Sequence, residues 1–170
     1  DVRHMGTDNM RLFPATAGVY AGTGETLEWA AIGFVSGIEE RVHVIEGSFP
    51  GPTPAGEPID VLALRELAEQ LGFHVGERCV LVGETMLEGR KRKLEFPVRI
   101  AGIWTARDET DPYWFYRPSS FDKMLLVPEQ VYVDRVGGAY EQEVMRAVWY
   151  QVYDGSDVNI ERVPQLQAAF

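Results

Sequence analysis

The chain holds one cysteine, Cys79, in 170 residues, which excludes an internal disulfide and leaves the redox compartment open. Cys79 lies among valines and leucines and reads as a buried structural thiol rather than a nucleophile. Basic residues are in deficit: 16 Lys and Arg stand against 26 Asp and Glu, for a net charge of −10. That balance argues against nucleic acid or anionic headgroups as a main partner, since both need a basic surface. No apolar run approaches the ~20 residues that span a bilayer; the longest candidate is Trp29 to Val35. No signal peptide is recognisable.

Catalytic and metal motifs are equally scarce. His4, His43 and His74 are far apart and have no His or Cys at ligand spacing, so a zinc site is not indicated. Neither Asp108-Glu-Thr-Asp111 nor Asp154-Gly-Ser-Asp157 has the oxygen-ligand spacing of a calcium loop. Gly22-Thr-Gly-Glu25 lacks the Gly-Lys-Ser/Thr of a phosphate loop and reads as a turn. No G-x-S-x-G elbow or defensible Ser/His/Asp arrangement is present. No catalytic residue, metal ligand or cofactor is assigned.

What is present is organised around Glu57 to Trp104. Leu64, Leu67, Ala68 and Leu71 fall at i, i+3, i+4 and i+7, which predicts a two-turn helix with one apolar stripe, ended by Gly72 in the left-handed conformation. A strand precedes it from Glu57 to Leu64. After it, Arg78 to Val82 reads as a covered strand, and Gly89 with Arg90 to Lys93 as the solvated tip of a hairpin. Leu94, Phe96, Val98 and Ile100 then alternate with Glu95, Pro97, Arg99 and Ala101, the period of a strand with one buried face. Pro97 requires an edge position or a bulge there.

Ala68-Glu-Gln-Leu-Gly-Phe-His-Val-Gly-Glu77, followed by a hairpin and Val98-Arg-Ile-Ala-Gly-Ile103, resembles the extracytoplasmic core domain of MacB/FtsX-type ABC transporter permeases. Glu46-Gly-Ser-Phe-Pro50 is similar to the phrase that precedes this unit in that family. The resemblance covers about residues 40 to 135 and consists of turn glycines and apolar positions. It implies a domain on the outer side of the cell membrane, without enzymatic activity of its own, anchored by flanking helices absent from this chain. It also implies two partners: a cytoplasmic ABC ATPase acting through the parent protein, and a second permease subunit. The opening at Asp1 without Met, and a helix begun at Pro164 and cut off at Phe170, fit an excised segment.

Around the centre, Asp1 to Pro14 reads as an extended arm or loop. Strands are expected at 15–21, 27–36, 41–45, 123–127 and 143–154, with a loop over Pro50 to Gly56. Pro128 is expected in the first turn of a helix that runs through Val136 and is stopped by Gly137-Gly138. The fold expected is α+β: a mixed, mostly antiparallel sheet with a few short helices. A two-lobe division is open, with a compact lobe at 57–136 and a strand-rich remainder at 15–50 and 143–163.

The loop at 105–121 is the candidate site. Asp108 and Asp111 stand beside Tyr113, Trp114, Phe115 and Tyr116. Carboxylates next to aromatics are what a ligand pocket or a sugar-cleaving site would use. The competing reading is structural: Asp111-Pro112 starts a turn, Asp108 caps it, and the aromatics anchor the loop on the sheet. Exposed, the same aromatics would form a contact surface. The permease domain is therefore weighed against a ligand-binding or sensory module with this loop as its mouth, and against a hydrolase using Asp108, Glu109 or Asp111.

Overall fold

The computed structural model describes residues 2–15, 26–87, 89–114, 117–140 and 146–150. The strands expected at 15–21 and beyond 150, the turn at Gly22 to Glu25 and the helix at 164–170 lie outside them. So do Phe115 and Tyr116.

The central stretch folds as its pattern dictates. Strand β5 (Ile59–Leu64) leads directly into helix α1 (Arg65–Leu71), which buries Leu67 and Ala68. Gly72 ends the helix with φ 69°, and the Phe73 N–H donates to the Ala68 carbonyl. Strands β6 (Arg78–Leu87) and β7 (Arg90–Ala106) form a long antiparallel hairpin that pairs out to Leu87 and Arg90. Arg90 to Lys93 are thus exposed strand residues rather than the tip, because cross-strand partners such as Glu84 and Thr85 continue the ladder beside them.

Pro97 satisfies its restriction by position. It faces Val80 of β6, while pairing with β5 on the other flank starts only at Val98. Its missing N–H therefore interrupts no ladder.

The opening residues correct the expectation of an arm. Val2–Gly6 is strand β1 and Met10–Pro14 is strand β2. Met10 and Leu12 are buried, and the buried Thr7 hydroxyl accepts the Ile32 N–H at 3.1 Å. Strand β3 (Glu28–Val35) pairs antiparallel with both β1 and β2. A turn through Gly37 leads to β4 (Val42–Gly47), which pairs with the last part of β7. Gly47 has φ 73°, and a Cβ there would lie 2.1 Å from the Ala101 carbonyl oxygen, a separation no side chain tolerates.

The strand at Met124–Leu126 (β8) is parallel to β3 and antiparallel to β5. Pro128 lies just outside the helix it introduces: α2 (Glu129–Val131) runs into a π-helical turn, Tyr132–Val136, and a 3-10 turn, Gly137–Tyr140. Gly137-Gly138 does not stop the winding. Gly137 keeps helical angles, φ −56° and ψ −40°, and the chain closes instead on buried Tyr140, which stacks against Phe96. Strand β9 (Arg146–Tyr150) pairs with β1.

The result is an α+β fold with a mixed, mostly antiparallel nine-stranded sheet among the described residues. Because β2 pairs with both β6 and β3, six strands form a closed circuit in the order β2, β6, β7, β5, β8, β3. Closure leaves those strands few free edges. Leu12, Ile32, Val61, Leu81, Val98 and Ile100 belong to one apolar cluster, which the side chains of α1 and of Val131 to Tyr140 also join. A second cluster lies on the other face of β3, β5 and β8, built from Ala31, Leu62, Met124 and Leu126 with Trp104, Trp114 and Phe121.

Candidate functional site

The loop between β7 and β8 covers that second cluster, and a bulge decides how. The β5–β7 register steps from Val61 opposite Ile100 to Leu62 opposite Gly102, so Ala101 is an extra residue in β7. An extra residue reverses which face later side chains take. Ile103 consequently joins the first cluster with Ile100, while Trp104 turns to the second. Trp104 is fully buried, and its indole N–H has no hydrogen-bond partner among the described residues. Its role there is one of shape and stacking.

Trp114 lies on Trp104 with ring centroids 5.8 Å apart and planes 14° apart. Tyr113 meets Trp114 edge-on at 5.1 Å, and Phe121 meets it tilted at 6.1 Å. The Trp114 indole N–H donates to the Asp108 carbonyl at 2.8 Å. Both tryptophans are buried and anchor the loop on the sheet.

The carboxylates serve the same end. Asp108 Oδ1 accepts from the Thr110 hydroxyl at 2.6 Å and from the Thr110 backbone N–H at 2.8 Å. Those two bonds, the hydroxyl first, hold Asp108 below the usual carboxylate range, opposite to the shift a buried general acid needs. Asp111 Oδ1 accepts the Tyr113 N–H at 2.9 Å and starts the 3-10 turn Pro112–Trp114. Its Oδ2 takes a hydrogen bond from Arg41 at 2.7 Å. Arg41 also lies over the Tyr113 ring, 5.3 Å from its centroid, and the Tyr113 hydroxyl donates to the Ser36 carbonyl at 3.0 Å. Burial pushes the Tyr113 phenol well above its ordinary range.

Arg41 and Ser36 belong to the β3–β4 connection, so the loop is latched to an element about seventy residues earlier in the chain. Sequence reading missed both, because neither carries a local motif. Asp108, Asp111, Tyr113 and Trp114 are brought together by hydrogen bonds and ring contacts within the loop. Glu109 stays apart from them and lines an open cleft instead.

That cleft, about 380 Å³, lies beside the loop. Leu64, Ala106 and Pro118 supply its apolar lining, and Thr105, Thr110 and Ser119 supply hydroxyls. Glu66, Glu109 and Arg117 bring charge to its walls. The described residues contain no group of three or more His, Cys, Asp or Glu able to hold a metal ion, and no helix long and apolar enough to cross a membrane. Cys79 is buried, and its thiol is pushed up to about 12, first by burial and then by the nearby Glu77 carboxylate. Neither the protein-family models nor the curated proteins contain a match to this chain.

Proposed function

We propose that this chain is the extracytoplasmic domain of an ABC transporter permease of the MacB/FtsX type. In this reading a cytoplasmic ATPase drives motion through the parent protein, and the outer domain couples it to export, extraction or signalling outside the membrane, with a second permease subunit as partner. The domain performs no catalysis of its own. The observation that carries the reading is the order of elements at the centre: strand, short helix capped by a left-handed glycine, long hairpin, and a last strand carrying Val98-Arg-Ile-Ala-Gly-Ile103. The loop supports it too, since Asp108, Asp111, Tyr113 and Trp114 are spent on holding the domain together. Sequencing both sides of the coding segment tests the proposal, through the apolar spans and neighbouring ATPase gene it requires.

A second reading, an extracytoplasmic ligand-binding or sensory module using the 105–121 loop, is favoured by one observation. The cleft beside that loop has a volume within the range of small-molecule sites. A ligand that binds only the folded chain would raise its unfolding temperature.

A further inference from the structure

We infer that the cleft beside the loop is a site for a small zwitterion, a free amino acid or short peptide carrying both an ammonium and a carboxylate group. The inference rests on the ligand-binding reading of this cleft and names the class of ligand.

Arg117 and Glu109 both line the cleft, yet they form no ion pair with each other or with any other described residue. This sets them apart from Asp108 and Asp111 of the same loop. Asp108 is satisfied by Thr110, and Asp111 by Arg41 and Tyr113. A guanidinium without a partner offers a planar fork of donors that matches a carboxylate in two-point geometry. A carboxylate accepts only, and an ammonium donates only.

One cleft holding both therefore complements a ligand that carries both charges. Glu66 on α1, whose carboxylate already lies 3.5 Å from Arg65, adds a second acceptor for the ammonium end. The Ser119 and Thr105 hydroxyls add neutral hydrogen-bonding groups, and Leu64, Ala106 and Pro118 offer apolar surface to the ligand's side chain. A purely anionic ligand would face Glu66 and Glu109, and a purely cationic one would face Arg117. Either meets a like charge, which a zwitterion avoids.

The site is open, so its charges are partly screened and a dissociation constant of about 0.1–1 mM is expected for a ligand of roughly ten heavy atoms. The test is titration calorimetry and thermal unfolding of the whole chain with four sets of probes. These are free amino acids and dipeptides, their N-acetyl forms, their amides, and neutral sugars. The expected result is binding by the free zwitterions alone, weakened about tenfold or more in both Arg117→Gln and Glu109→Gln. Unfolding curves of the unliganded variants that match the parent's would tie that loss to the cleft and not to the fold.

Binding by the N-acetyl or amide forms as tight as by the parent amino acids overturns the zwitterion while leaving a ligand site in place. Silence from every probe overturns the zwitterion and leaves the ligand-binding reading on the cleft's volume alone. Zwitterion binding that both variants retain shows that the site lies elsewhere and overturns the assignment to this cleft.

Discussion

Trp104 and Trp114 stack face to face, 5.8 Å between ring centroids, although one lies within strand β7 and the other in the loop that follows it. The contact exists because Ala101 is an extra residue in β7 and turns Trp104 toward the loop. Trp114→Ala removes a nearly fully buried ring from that stack and should cost about 3–5 kcal/mol. Denaturant unfolding measures it. A cost under about 0.5 kcal/mol, the level of surface positions, would mean that the loop is not cladding.

Leu67 and Ile100 belong to the cluster that the closed circuit of strands encloses, at 2% and 0% exposure. Alanine at either should cost about 2–5 kcal/mol in the same experiment. Because they pack in a different cluster from Trp114, the effects should add to that of Trp114→Ala to within about 0.5 kcal/mol, and a larger coupling would contradict two separate clusters.

The Arg41–Asp111 pair is short, but its side chains are 42% and 23% exposed. Solvent screening limits such a pair to about 1 kcal/mol at most. Asp111→Asn should therefore lower stability only slightly, and a double-mutant cycle with Arg41→Met should give a coupling that shrinks as salt is added.

Acid should weaken the fold through groups whose folded pKa is depressed. Asp108 is held down by Thr110, and Glu28 by the Trp29 backbone N–H first, then by Lys123 and Gln70. A depressed folded pKa contributes stability that is present above the unfolded value and lost as pH falls through the folded one. The window thus opens near pH 4, at about 3.9 for Asp and 4.3 for Glu, and extends downward. Thr110→Val should raise the Asp108 pKa in a carboxyl NMR titration. An unchanged value would show that the Thr110 hydroxyl does not set it.

Cys79 is 1% exposed and its thiol is pushed up to about 12. Folded protein at pH 8 should resist iodoacetamide, and denatured protein should react at the ordinary thiol rate. Rapid labelling of the folded chain would contradict the burial.

Legibility followed the range of the forces involved. The α1 stripe, its Gly72 cap and the alternation from Leu94 to Ile100 are local and were readable from spacing. β1 was not, because its strand character depends on β3 and on β9, and Val2 of β1 pairs with a residue as distant in sequence as Tyr150. The Ala101 bulge carries no composition signal, so the direction of Trp104 could not be read either. Gly137-Gly138 looked like a stop because glycine weakens helices, yet burial of Val136 and Tyr140 on either side holds the winding. Of the site, the Asp108 cap and the Asp111-Pro112 turn were legible as local chemistry. Arg41 and Ser36 became visible only once the loop had been folded against them.

The most direct test of the permease proposal is the sequence of the genomic locus on both sides of this segment. The account predicts an apolar span of ~20 residues upstream, further spans downstream and an ABC ATPase gene alongside. A free-standing gene, or a secretion signal with no membrane spans, would contradict it and move the weight to the ligand-binding reading.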